Sequence, residues 1–362
     1  MRAFALTLLG LSFPLSIRAQ SEPTIFIAGV WPDRILFFDQ TKDEFSEGLR
    51  LRHGAVTDSS YTHDKRRFFL ITDRMESVEV VDPVHREVID ELKLSTPELR
   101  VRIFGVFPNP AGTRVYLTVS LVRLLPDRYL RDQEYDIVLY DFEKHDVVER
   151  FSLPEEVQGR GFRAPLHVPP GGESIYVLGR DIYEIDAQTH EVKDTWALSK
   201  PLLAGYGAVR GMSLTQTDEP GVFYGIYRTK DPVQEKSLFG LAKMSLYERK
   251  VESYELGPEL ELGRGVAISP DRKRAYAGLK DLVVVDLETR KVILRKEGFE
   301  RGRTNNSLIV SHDGTKLYIS GVGDTVWVYD AASLELVKTV HAGGDFMMPP
   351  VEIPNPRLSK ND

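Results

Sequence analysis

Short apolar runs that close on an acid recur along the chain: ILFFD at Asp39, VEVVD at Asp82, IVLYD at Asp141, IYEID at Asp186, LVVVD at Asp286 and VWVYD at Asp330. LAKMS, ending at Ser245, fills the one long gap with serine in place of the acid. Successive ends lie 43, 59, 45, 59, 41 and 44 residues apart, near the ~40–45 residues of a four-stranded propeller blade. Ahead of these runs come a turn and a second apolar strand: NPAG then TRVYLTV, PPGG then ESIYVL, SPDR then KRAYAGL, SHDG then TKLYISG. Proline presets φ and Gly or Asp tolerates turn geometry, so each tetrapeptide predicts a tight hairpin. Behind each run lies a polar turn and an outer strand, as in EKHD before VVERFSL.

The unit is therefore four antiparallel strands, and a sheet with two apolar faces must stack against copies of itself around an axis. The pattern predicts an all-β protein, a seven-bladed β-propeller of four-stranded antiparallel blades spanning residues 20–346. Residues 347–362, proline-rich and then polar, read as a closing strand and tail. The aspartate ending each third strand reads as an acceptor for the N–H groups of the turn that follows, not as a catalytic acid.

Of the 362 residues, 42% are hydrophobic and 28% charged, with 28 glycines, a composition that suits a soluble all-β fold. Arg2 followed by ALTLLGLSFPLSI and Ala19 reads as a secretory signal peptide over residues 1–19. The run is too short for the ~20 apolar residues of a membrane span, and no later segment is long enough. The expected location is periplasmic or secreted. Removing residues 1–19 takes away Arg2 and Arg18 and no acid, moving the net charge from −7 to −9. Such an acidic chain is a poor partner for nucleic acid. The chain has no cysteine. It can hold no disulfide, no covalent c-type haem, no thiolate nucleophile, no cysteine zinc site and no iron–sulfur cluster.

The stretch KLSTPELRVRIFGVFPNPAGTRVYLTVSLVRL from Lys93 to Leu124 resembles the beta subunit of quinohemoprotein amine dehydrogenase, within the YVTN-type propellers. So do RYLRDQEYDIVLYD, YVLGRDIYEIDAQT, YRTKDPVQEKSLFGLAKMSLYERK and VSHDGTKLYISGVGDTVWVYDAASLELVKTV. In that family a seven-bladed propeller joins a dihaem cytochrome c subunit and a small subunit carrying a cysteine tryptophylquinone. The quinone oxidises primary amines to aldehydes and ammonia, and electrons leave through the haems. The resemblance implies a non-catalytic subunit that docks the other two and walls part of the active-site cavity. Haem and quinone are then expected on the partners, with no cofactor bound covalently by this chain. Trp31, Trp196 and Trp327 lie in different units and read as packing or rim residues.

Two insertions account for both 59-residue spacings: LVRLLPDRYLRDQEY after Ser120 and RTKDPVQEKS after Tyr227. Long loops on a rigid scaffold commonly carry binding. Tyr129, Tyr135, Tyr224, Tyr227 and Arg228 are therefore candidates for a face that meets a partner or cavity, together with Asp58, one of few acids on an inner strand.

Arginines also gather at the entries to the inner strands: Arg102, Arg163, Arg210, Arg264 and Arg303, with Arg100, Arg160 and Arg301 beside them. These converge on one mouth of the channel, either as a cationic ring for an anionic ligand or as partners of carboxylates between blades. The histidines show no metal-ligand spacing, and inward carboxylates are too scarce for a lactonase-like metal site near Asn305 and Asn306. The alternative to the subunit reading is a stand-alone secreted YVTN-type propeller that binds a ligand or a protein.

Overall fold

A computed structural model describes residues 24–131, 136–155, 157, 165–179, 181–200, 210–217, 219–231, 233–257, 262–300, 302 and 307–354. Seven antiparallel sheets form the predicted propeller. From the axis outward, blade 2 runs Asp58–Tyr61, Phe68–Thr72, Ser77–Asp82 and Glu87–Lys93, and blade 6 runs Leu262–Ile268, Arg274–Leu279, Asp281–Asp286 and Lys291–Glu297. Blade 1 differs: its innermost strand, Val351–Pro354, comes from the far end of the chain and pairs antiparallel with Thr24–Val30, Ile25 opposite Ile353. The ring is thus closed by strand pairing between the two ends of the described chain.

The core is divided among the blade interfaces. Seven apolar clusters fall one to each seam, for example Ile27, Phe37, Phe68 and Leu70 between blades 1 and 2, and Tyr276, Leu282, Leu317 and Ile319 between blades 6 and 7. The remaining seams are filled in the same way. Most positions of the third strands are buried, and every one over Leu282–Val285, because each strand lies between two neighbouring sheets. This is why they read as continuous apolar runs rather than alternating ones.

The acid at the end of each third strand does what the pattern predicts. Asp186 Oδ1 accepts the backbone N–H groups of Gln188 and Thr189, both at 2.9 Å. Asp39, Asp82, Asp141, Asp286 and Asp330 repeat that arrangement at the second and third residues beyond. In blade 5, where Ser245 stands in, the turn closes on a bond from Arg249 N to Leu246 O at 3.1 Å. Four residues past each acid, and past Ser245, the backbone turns left-handed: Asp43, Arg86, His145, His190, Arg249, Arg290 and Leu334 all have φ between 51° and 61°.

A second acid stands at the head of most third strands, and the run-by-run reading missed it. Asp33 accepts from Arg50 Nε at 2.7 Å, Asp73 from Lys93 Nζ at 2.7 Å, and Asp281 from Arg295 Nη2 at 2.6 Å. Asp136 meets Arg150 and Ser152, Asp181 meets Ser199, and Asp324 lies 3.3 Å from His341 Nδ1. Each bond ties the start of a third strand to the end of the fourth or just beyond it. In five of these six the signal was present as paired acids five or six residues apart, as in DLVVVD and DIYEID, whereas Asp73 precedes Asp82 by nine.

Candidate functional site

Strand direction separates two faces. Connections between second and third strands, and those from one blade to the next, share the loop face. The 1–2 and 3–4 turns share the turn face. Both insertions project from the loop face as hairpins rather than irregular loops. The second strand of blade 3 runs on to Leu124, where Tyr129–Arg131 folds back on it, Tyr129 opposite Leu124. In blade 5 the second and third strands extend to Lys230 and from Ser237.

The candidates on these hairpins meet different fates. Tyr129 is 77% exposed and Leu130 stands beside it in the open. Tyr135 lies outside the described residues. Tyr224 and Tyr227 are not presented on the loop face. Strand pairing continues through both, so alternation sends Tyr224 into the seam with blade 6 and Tyr227 to the opposite side against Ala242. Arg228 is exposed and stands in register with Arg210. Asp58, also exposed, accepts the N–H of Ser59 at 2.8 Å.

Of the five channel-mouth arginines, only Arg102 has a described side chain. It is exposed, 3.4 Å from Met75 Sδ and 5.7 Å from the Phe104 ring centre. Arg210 and Arg264 begin or interrupt the innermost strands of blades 5 and 6. Arg163 and Arg303 lie outside the described residues, as do Arg160, Arg301, Asn305 and Asn306. Arg100 pairs with Glu76 at 3.1 Å. Trp196 packs under Arg249 and Trp327 against the seam of blades 6 and 7, whereas Trp31 is exposed on the loop face.

That loop face carries further exposed apolar side chains. Val233 at the blade 5 hairpin tip is 87% exposed, and Val322 and Met347 are open as well. Trp31, Met347 and Val322 come together at the closure seam. There Trp31 N donates to Asp345 O, Met347 N to Gly29 O and Phe346 N to Gly323 O.

The turn face holds a cavity of about 430 Å³ in the end of the central channel. It is bordered by the inner strands of five blades, through Tyr61, Thr215, Val266, Leu308 and Val351. Nearby, half-buried His167 lies with its Nε2 2.8 Å from the Tyr247 hydroxyl and edge-on to Phe223. Burial, then the neighbouring charge of His63, pushes the imidazole down to about 4. Among the described residues no three His, Asp or Glu side chains are grouped to hold a metal, and no helix is long and apolar enough to cross a membrane.

The fold and these two faces define a seven-bladed β-propeller with a loop-face set of exposed apolar groups and a channel cavity on the turn face. Solved structures share that architecture. The dihydro-heme d1 dehydrogenase NirN, in complex with DHE, is 16% identical with a TM-score of 0.53, over 95% of this chain and 78% of that one. A functionally unknown protein from Desulfotomaculum acetoxidans DSM 771 is 12% identical with a TM-score of 0.58, over 91% and 99%. The β-propeller domain of Cps50 (Swd1) from Myceliophteria thermophila is 13% identical with a TM-score of 0.51, over 87% and 98%. At these identities the likeness establishes the fold alone. No protein-family model and no curated protein matches the chain.

Proposed function

We propose that this chain is a non-catalytic propeller subunit of an exported, periplasmic complex like quinohemoprotein amine dehydrogenase. In this reading the loop face docks a dihaem cytochrome c subunit and a small quinone-bearing subunit, and walls the cavity where primary amines are oxidised. The c-type haem and cysteine tryptophylquinone belong to those partners, in keeping with a chain that has no thiol to attach either.

The observation that carries the reading is the set of exposed apolar groups on the loop face, Trp31, Tyr129, Leu130, Val233, Val322 and Met347, beside others such as Ile293, Val337 and Tyr247 on the outer strands and the turn face. Large apolar side chains held on rigid hairpins and surrounded by polar residues are what interfaces bury, and aromatic anchors dominate their energetics. The resemblance of the two inserted segments to the amine dehydrogenase subunit supplies the identity of the partners. The test is an affinity pull-down from the native exported fraction, with haem and quinone staining of what co-purifies and an assay of amine-dependent dye reduction. Co-purified haem and quinone polypeptides support the subunit role. A clean monomer with neither overturns it.

A second reading, a stand-alone ligand- or protein-binding propeller, is favoured by the turn-face cavity. It would be supported by a monomer that binds a small ligand there.

A further inference from the structure

The turn-face cavity has a charge arrangement that partner docking does not use. Lys65, Lys243, Arg272 and His312 border it, against Glu219 and Glu352. Both carboxylates are already engaged: Glu219 accepts from Arg272 Nη1 at 2.9 Å, and Glu352 accepts from Gln40 Nε2 at 2.9 Å. Lys243 is half-buried on the third strand of blade 5, directly opposite Tyr224 on one neighbouring strand and Glu252 on the other. Glu252 is held below the ordinary carboxylate value first by its hydrogen bond from Lys250, and Lys243 is one of the charges that add to this. The close contact of that carboxylate is with Lys250 Nζ at 2.9 Å, and Arg290 approaches it at 3.6 Å. Lys243 makes no hydrogen bond or ion pair with any described residue.

Beside it, Tyr224 is buried as a residue and lines the cavity, and its hydroxyl makes no hydrogen bond to a described residue. Burial, then the nearby Tyr254 and Glu252, raises Tyr224 to about 12, so it stays a proton donor at neutral pH. Directly opposed residues share one face of a sheet with Cβ atoms roughly 5 Å apart. The ammonium and the hydroxyl therefore belong to directly opposed residues, and neither makes a hydrogen bond to a described residue, in a protein whose net charge is −7. Unmet donors in a concave, partly apolar site await an acceptor from outside.

We propose that this end of the channel binds a small organic monocarboxylate. Its carboxylate sits on Lys243 and Tyr224, and its apolar body lies against Val266, Leu308 and Val351. The volume falls in the range of about 300–1,000 Å³ typical of small-molecule sites. Inorganic phosphate has nothing to bury against the valines and leucine, and that separates it from a monocarboxylate with an apolar body. The site stands on the channel alone, so a chain that captures no partner subunits leaves it intact.

Isothermal titration calorimetry of the purified full chain with benzoate, benzamide and inorganic phosphate tests it. Benzoate is expected to bind one to one, with benzamide and phosphate at least about tenfold weaker, since charge-assisted bonds are the strong ones. Lys243→Met is expected to weaken benzoate at least about tenfold and Tyr224→Phe about threefold. Should Lys243→Met fail to fold, Lys243→Gln and Tyr224→Phe carry the comparison. No benzoate heat up to about 10 mM, phosphate binding tighter than benzoate, or variants that bind like the unaltered chain overturn the assignment.

Discussion

Lys316 Nζ lies 2.6 Å from Asp43 Oδ2, bringing the second strand of blade 7 against the left-handed turn of blade 1. The Tyr318 hydroxyl donates to the other oxygen of the same carboxylate at 3.0 Å. Around them Phe26 and Phe38 stack with ring centres 4.3 Å apart, and Tyr318 closes on both edge-on. The seam where the ring shuts therefore combines a largely buried polar clasp with an aromatic core. Asp43→Ala leaves the lysine and the tyrosine hydroxyl only their longer bonds to Gln40 O, at 3.5 and 3.3 Å, and should lower stability by about 2 kcal/mol, with Tyr318→Phe costing about 1 kcal/mol. Urea unfolding of both variants checks this; equal losses would mean that the lysine contributes nothing.

Closure also depends on the strand Val351–Pro354. Ile353 is fully buried in the seam of blades 1 and 2. Ile353→Ala should cost about 2–5 kcal/mol, with the loss expressed as a lower urea midpoint. An unchanged midpoint would show that blade 1 holds without its innermost strand.

The seven left-handed turn residues give a local test. His145 has φ 51°, a conformation that costs a β-branched residue on the order of 1–2 kcal/mol and asparagine much less. His145→Val should destabilise by that amount while His145→Asn stays near neutral. Thermal melts of the pair decide it, since the side chain is exposed and only loosely placed, 3.8 Å from Asp90.

Acid should act in two stages. His167 is held down to about 4 from its ordinary 6.5, first by burial. The unfolded chain therefore takes up its proton first, and stability falls as pH drops from about 6.5 towards 4. Backbone N–H groups of Thr189, Thr289 and Ser333 hold Asp186, Asp286 and Asp330 below the ordinary carboxylate value of 3.8. Their contribution is complete above that value and disappears as pH falls through the folded-state values. Melting temperatures across pH 3–7 read both stages, and His167→Gln should flatten the upper one while leaving the lower.

Tyr129 is open to solvent, so Tyr129→Ala should change stability by less than about 0.5 kcal/mol. As an aromatic anchor of the docking face it should nonetheless weaken partner capture by roughly tenfold or more. Retained capture in the pull-down would remove the blade 3 hairpin from the interface.

The repeat was fully legible in the chain because a strand covered on both sides must be continuously apolar and a turn needs its acceptor. Six acids and one serine at regular spacing thus settled fold class and blade count, and even the hydrogen bonds of each turn. The candidate site was legible only in part. Tyr224 and Tyr227 read as loop residues because an insertion has no visible boundary in sequence. Cross-strand pairing continues to Lys230, and a one-residue alternation buries the first against blade 6 and the second within blade 5.

Nor could spacing reveal that Lys243 and Tyr224 stand opposite each other, or that Glu219, Glu352 and Glu252 are already paired. Those relations join side chains from different strands and blades. Local sequence determines which residues form strands and turns. The ring's closure determines which side chains meet across the channel, and with them which charges remain unpaired.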